Sequence, residues 1–172
     1  MQNMHFHAGT IPIAFVFSAP GSKEKISGKP VTGVTGENLE FALKHLTIAR
    51  PDLFSSSRRY DYRITNAYAL ALAKALGDKR SEAEPKQILE PANIERVIRE
   101  LWGMKLVILC GVKAAHLKAS LSTAGFRVIV CSHTSNQGLT VHNAAARAGV
   151  TPYSRRQLRV LAWATSLLNQ LE

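Results

Sequence analysis

The sequence predicts an α/β fold, a three-layer α/β/α sandwich around a central, mainly parallel four-stranded sheet, and two observations predict it. The apolar runs are short and unbroken: IPIAFVF over Ile11–Phe17, then residues 62–65, KLVIL over 105–109 and RVIVC over 127–131. Half-exposed strands alternate between apolar and polar residues, whereas continuous runs belong to strands covered on both faces, as in parallel sheets. Stretches with helical spacing separate these runs, the order expected of βα units. With 172 residues and roughly 150 residues per domain, residues 1–172 are expected to form one domain.

The first strand, Ile11–Phe17, runs into Ser18-Ala19-Pro20-Gly21, and a long glycine-rich loop continues through Gly28, Pro30, Gly33 and Gly36. Thr35 is then placed to cap a helix in which Leu39, Ala42, Leu43 and Leu46 recur on one face. A polar, basic segment, SSSRRYD, precedes the second strand at 62–65, with Asn66 at its C-terminal end. An Ala/Leu/Lys stretch over 68–76, a polar excursion GDKRSEAEPK and a helix over 91–101 follow. The third strand, 105–109, opens at Gly111 into a helix carrying Ala114, Ala115, Leu117 and Leu121. After the fourth strand, 127–131, a polar loop over 132–143 leads to a terminal leucine-rich helix in which Ser154 and Gln157 fit an S-x-x-Q capping box. No repeat, heptad array or low-complexity tract interrupts this order.

Composition narrows the function classes. An apolar share of 46% with 20% charged residues excludes a disordered chain, and no apolar run reaches the ~18 residues of a membrane span. The start, MQNMHFHAG, lacks the basic and long apolar stretches of a secretory signal, so a cytoplasmic protein is expected. Cys110 and Cys131 end two apolar runs and read as buried small hydrophobes. The six histidines show no ligand spacing beyond His5/His7, in a terminus expected to fray, so no metal and no cofactor are expected. The net charge of +10 draws polyanions. DNA is therefore the expected partner, with no membrane and no obligate protein partner.

In a parallel sheet, ligands bind beyond the C-terminal strand ends, which here carry 18–36, 66–68, 110–112 and 132–136. The first loop matches neither G-x-x-x-x-G-K-S/T nor G-x-G-x-x-G, so a phosphate-cradling nucleotide loop is poorly supported. Asn66 reads either as a helix cap or as an amide matching a nucleobase edge. No carboxylate within a few residues of His133 completes a hydrolytic triad. Arg58, Arg59, Arg155, Arg156 and Arg159 read either as a solvated surface or as phosphate contacts.

Together these segments resemble the uracil-DNA glycosylase superfamily in order, spacing and strand placement over most of the chain. SAPGSKEKISGKPVTGVTGENLEFAL, 18–43, looks like the family pattern G-E-A-P-G-x-x-E-D-x-x-G-x-P-F-x-G-x-x-G-x-L-L; ITNAYAL, 64–70, resembles the strand-end I-T-N-V-V-K. LVILCGVKAAHLK, 106–118, is similar to the family's strand, glycine and alanine-rich helix, and SHTSNQGL, 132–139, looks like its H-P-S loop. The resemblance implies a hydrolase that flips a base out of DNA, cleaves its N-glycosidic bond and leaves an abasic site. It implies catalytic positions at Ser18 and His133, a base pocket from Ala19, Pro20, Val31 and Asn66, and DNA contacts from Ser135, Asn136, Gln137 and Leu139 together with Arg58 and Arg59.

Three departures shape the expected substrate. Ser18 stands where related enzymes place Glu, Asp or Asn to position water. Val31 stands where an aromatic ring stacks on the base, which implies a larger pocket, and Thr134 replaces the loop proline and loosens its backbone. The iron–sulfur cysteines are absent. The expected activity is release of a modified or bulky base, such as a hypermodified cytosine in foreign DNA, rather than plain uracil, in DNA repair or anti-phage defence. A catalytically silent relative that senses or flips bases, and an unrelated nucleotide-handling α/β enzyme, remain the alternatives.

Overall fold

The computed structural model describes residues 3–72 and 82–172, so part of the 68–76 stretch and of the polar excursion lies outside the described residues. Its sheet has five strands in the order β1-β3-β2-β4-β5: β1 Phe6–His7, β2 Ile11–Phe17, β3 Tyr62–Asn66, β4 Leu106–Cys110 and β5 Val128–Cys131. The four expected strands run parallel to one another. The fifth, β1, adds an antiparallel edge beside β3, a pairing too short to leave an apolar run in the sequence. The terminus expected to fray is thus tied down, with His5 Nε2 2.9 Å from Glu100 and His7 Nε2 2.7 Å from the Tyr60 carbonyl.

Alternate residues of each strand feed two cores. Ile13, Phe15 and Phe17 of β2 and Leu106, Ile108 and Cys110 of β4 pack on one face, against Leu39, Leu43 and Leu46 of α2 (Val34–Ala49) and Val160, Trp163 and Leu167 of α7 (Pro152–Leu168). Ala14, Val16, Val107 and Leu109 face the other layer. There they meet Val97 of α4 (Pro91–Glu100), Ala114 of α5 (Val112–Ala115) and Leu121 of α6 (Lys118–Thr123). Burial on both faces is why these strands read as continuous apolar runs.

Several boundaries move. The long loop after β2 holds a short helix, α1 (Ser22–Ser27), and α2 is capped by Gly33, not by Thr35, which lies inside its first turn. The segment after Gly111 is two short helices rather than one. Thr151 caps α7: Ser154 N–H donates to Thr151 Oγ1 at 3.1 Å and Ser154 Oγ accepts from Thr151 N–H at 3.0 Å. Pro152, suited to the first helical position, sets the start three residues before the expected S-x-x-Q box. The short helix α3 (Pro85–Ile88) precedes α4.

Candidate active site

The winding reverses at β2. The chain leaves it for β3 on one side and then crosses to β4 on the other, and such a switch point opens a crevice beyond the C-terminal strand ends. A cleft of about 810 Å³ lies there, with Ser18 after β2, Gly111 after β4, and His133, Ser135 and Gln137 after β5 among its lining residues. Glu82, Lys113 and Val141 also line it.

The His133 ring packs edge-on against Phe17, centroids 5.4 Å apart at 78°. Its Nδ1 accepts the Ser135 N–H at 3.0 Å. An accepting Nδ1 carries no proton, so the neutral ring holds its proton on Nε2. Burial pushes the imidazole down to about 4, against the upward pull of the Glu24 carboxylate. At neutral pH His133 is therefore an uncharged Nε2–H donor. Two glycines make room for it. Gly111 has φ +98°, and a Cβ there would lie 3.0 Å from His133 Cβ; a Cβ at Gly138 would collide with the His133 carbonyl.

The loop is anchored on both sides. Thr134 is buried, its Oγ1 donates to the Thr35 carbonyl at 3.0 Å, and its own carbonyl accepts Asn38 Nδ2 at 2.7 Å. These bonds supply the constraint that a proline would give, so the expected loosening at Thr134 does not occur. Gly138 N–H donates to Ser135 Oγ, and Trp163 Nε1 donates to the Ser132 carbonyl.

Asn66, 3% exposed, ends β3 in register with Phe17, one residue from Ser18. It is not among the residues that line the cleft. Its Oδ1 is buried without a partner among the described residues, an arrangement that costs on the order of 1–3 kcal/mol unless a ligand donates to it. Its backbone is firmly held: the carbonyl accepts Arg96 Nη2 at 2.9 Å, and the next carbonyl, of Ala67, accepts Asn93 Nδ2 at 2.7 Å. Arg96 Nη1 is paired in turn with Glu100 at 2.6 Å, which also accepts Thr65 Oγ1. Burial raises the Glu100 carboxyl, but the bonds from His5 and Thr65 and the Arg96 charge prevail and hold it below the usual range.

Other expected contacts fall elsewhere. Val31 is 4% exposed, packs in the α2/α7 core and has φ +54°, so it is not a wall of the cleft and the absence of an aromatic there does not enlarge it. Ala19 and Pro20 also lie off the cleft wall; the Pro20 carbonyl accepts the Leu72 N–H. Leu139 is fully buried in the same core as Val31, which corrects its assignment as a DNA contact; Asn136 and Gln137 are exposed. Arg59 is mostly buried, paired with Glu40 at 3.2 Å and laid over the Tyr60 ring, so its charge is neutralised within the protein. Arg58 is 80% exposed despite its contact with Asp61. Arg156 pairs with Glu37 and Asn38, Arg155 donates to the Gly149 carbonyl and Arg159 donates to Asn143. Lys23 and Lys25 of α1 and Lys29 just after it are exposed.

Sequence reasoning passed over Glu82, which lay in a stretch that read only as polar, and the Arg96–Glu100 pair, whose i,i+4 spacing signals a helix contact but not its target. Cys110 and Cys131 are free and reach the cleft floor. Burial raises the Cys110 thiol well above its ordinary value and takes Cys131 to about 12, so neither is a thiolate nucleophile. No group of three or more His, Cys, Asp or Glu among the described residues could hold a metal ion.

A doubly wound sheet with a neutral imidazole and a strand-end amide near its switch point defines an α/β protein whose candidate site lies beyond the C-terminal strand ends. The family model of the uracil DNA glycosylase superfamily matches residues 5–149, and the chain belongs to that superfamily, a family that acts on DNA. No curated protein matches the chain at a significant level. No helix among the described residues is long and apolar enough to cross a membrane.

Proposed function

We propose that this protein is a DNA base glycosylase whose substrate is a modified or enlarged base, such as a hypermodified cytosine, rather than plain uracil. The observation that carries the reading is the bond from Ser135 N–H to His133 Nδ1, which leaves an uncharged Nε2–H at the cleft. Cleavage of an N-glycosidic bond leaves the electron pair on the base, and a donor already fixed in place stabilises that negative charge without reorganising at the moment of reaction. A base flipped from the duplex would enter at the switch point, with Asn66 Oδ1 as an acceptor for an exocyclic N–H once the base reaches the strand end. The cleft volume of about 810 Å³ is of the size that holds a drug-sized ligand, which supports a base larger than a plain pyrimidine. The basic surface of Lys23, Lys25, Lys29 and Arg58 supports phosphate contact. One domain over 1–172 acting on cytoplasmic DNA, in repair or in defence against foreign DNA, fits this reading.

One observation favours a second reading, a catalytically silent protein that binds and flips bases: Ser18 offers no carboxylate to the cleft. Incubating the protein with DNA carrying uracil, 5-hydroxymethylcytosine or glucosylated cytosine, followed by alkali, separates the two. Strand breaks at the modified base support the glycosylase, and salt-sensitive binding without any breaks supports the silent relative.

A further inference from the structure

Release of a base by water makes a demand that Ser18 does not meet. The sugar becomes cationic as the C1′–N bond stretches, and the attacking water must lose a proton; a neutral hydroxyl can orient water but supplies neither a negative charge nor a base. A carboxylate does stand at the cleft, delivered by a different part of the chain. Glu82 lines the same cleft as Ser18 and His133, and the residues after it fix its position. Ala83 is 1% exposed in the α4 layer, Glu84 caps α3, and Ile88 is fully buried. Glu82 Oε2 lies 3.9 Å from Lys113 Nζ, at the outer reach of an ion pair, and the side chain is 57% exposed. That long separation leaves the carboxylate oxygens open to water, and Lys113 shares the cleft wall with it.

We propose that Glu82 is the catalytic carboxylate of this site. The inference rests on the glycosylase reading and deepens it. As the C1′–N bond breaks, its electron pair leaves with the base, which His133 Nε2–H stabilises. The water oxygen bonds to C1′, and the proton it loses passes to Glu82 and then to solvent or to the departed base. One water is consumed, the hydroxyl stays on the sugar, and nothing is oxidised or reduced. Before the new bond forms, the Glu82 charge offsets the positive charge on the sugar, the two duties a carboxylate performs in glycoside hydrolysis. Lys113 acts as a positioning residue.

The test is single-turnover base release with enzyme in excess over modified DNA, with the DNA dissociation constant and the melting transition measured beside it. Glu82→Gln is expected to slow release about 10²–10⁴-fold while binding DNA at least as tightly, because a negative charge has been removed. Glu82→Asp should recover part of the rate, and sodium formate should restore part of the rate of Glu82→Ala. Lys113→Met should slow release less than about tenfold, through geometry alone. Glu82→Gln releasing base at the wild-type rate overturns the proposal and leaves the glycosylase reading standing. Wild-type protein that releases no base from any DNA removes both together. If Glu82→Gln loses its melting transition, Glu82→Ala with and without formate decides: restored release supports the assignment, and no restoration overturns it.

Discussion

At the scale of single residues, His133 ties stability to catalysis. Its folded-state imidazole titrates near 4 against an ordinary 6.5, so between these values the unfolded chain binds more protons than the folded one. The neutral ring therefore contributes stability that is fully present above pH 6.5 and is lost as pH falls toward 4, on the order of 3 kcal/mol. Urea unfolding at pH 7 and pH 4.5 should show this acid loss in the wild type and a smaller one in His133→Leu. The same substitution removes the donor and should slow base release about 10²–10³-fold, with no His133 limb in the wild-type rate profile above about pH 5. Asn66→Asp sets a charge where the Oδ1 has no donor and should abolish release while leaving DNA binding measurable; release at the wild-type rate by a folded variant would take Asn66 out of the site. The strand-end positions of Asn66 and His133 were readable, because Asn66 closes the apolar run of β3 and His133 stands two residues past β5. Val31 and Leu139 misled because sequence spacing gives a residue's place in a loop and not its facing, and both turn into the α2/α7 core.

At the scale of elements, the β4–α5 junction is where backbone conformation and chemistry meet. Gly111 sits at φ +98° against the His133 ring, so Gly111→Ala adds left-handed strain of about 1–3 kcal/mol and a methyl group that pushes the imidazole away. Its melting temperature and base release should both fall, with release falling further than the drop in stability explains; a variant that is only destabilised would mean His133 tolerates displacement. The strands were legible because burial on both faces writes unbroken apolar runs. The edge strand β1, the caps of α2 and α7 and the break between α5 and α6 were not, since two ladder pairs, a glycine cap and a short helical stop leave no periodic trace. Glu82 was equally silent, because only the packing of Ala83 and Ile88 brings it to the cleft.

At the scale of the whole molecule, the charge of +10 is unevenly available. Arg59, Arg156 and Glu100's partner Arg96 are engaged internally, whereas Lys23, Lys25, Lys29 and Arg58 are exposed. DNA affinity should fall steeply with salt. Replacing the three lysines together by Gln should weaken binding to all sequences alike and flatten the log–log salt slope by about 0.9 for each phosphate the protein no longer neutralises; weakening confined to one sequence would contradict phosphate binding. The most direct measurement of the central claim is the rate at which the purified protein converts duplexes carrying uracil, unmodified cytosine or an enlarged cytosine to abasic sites under single-turnover conditions. Abasic sites are expected at the enlarged base, formed faster than at uracil and slowed about 10²–10³-fold in His133→Leu. Efficient release of uracil with no release of any enlarged base, or DNA binding with no abasic sites on any substrate, would contradict it.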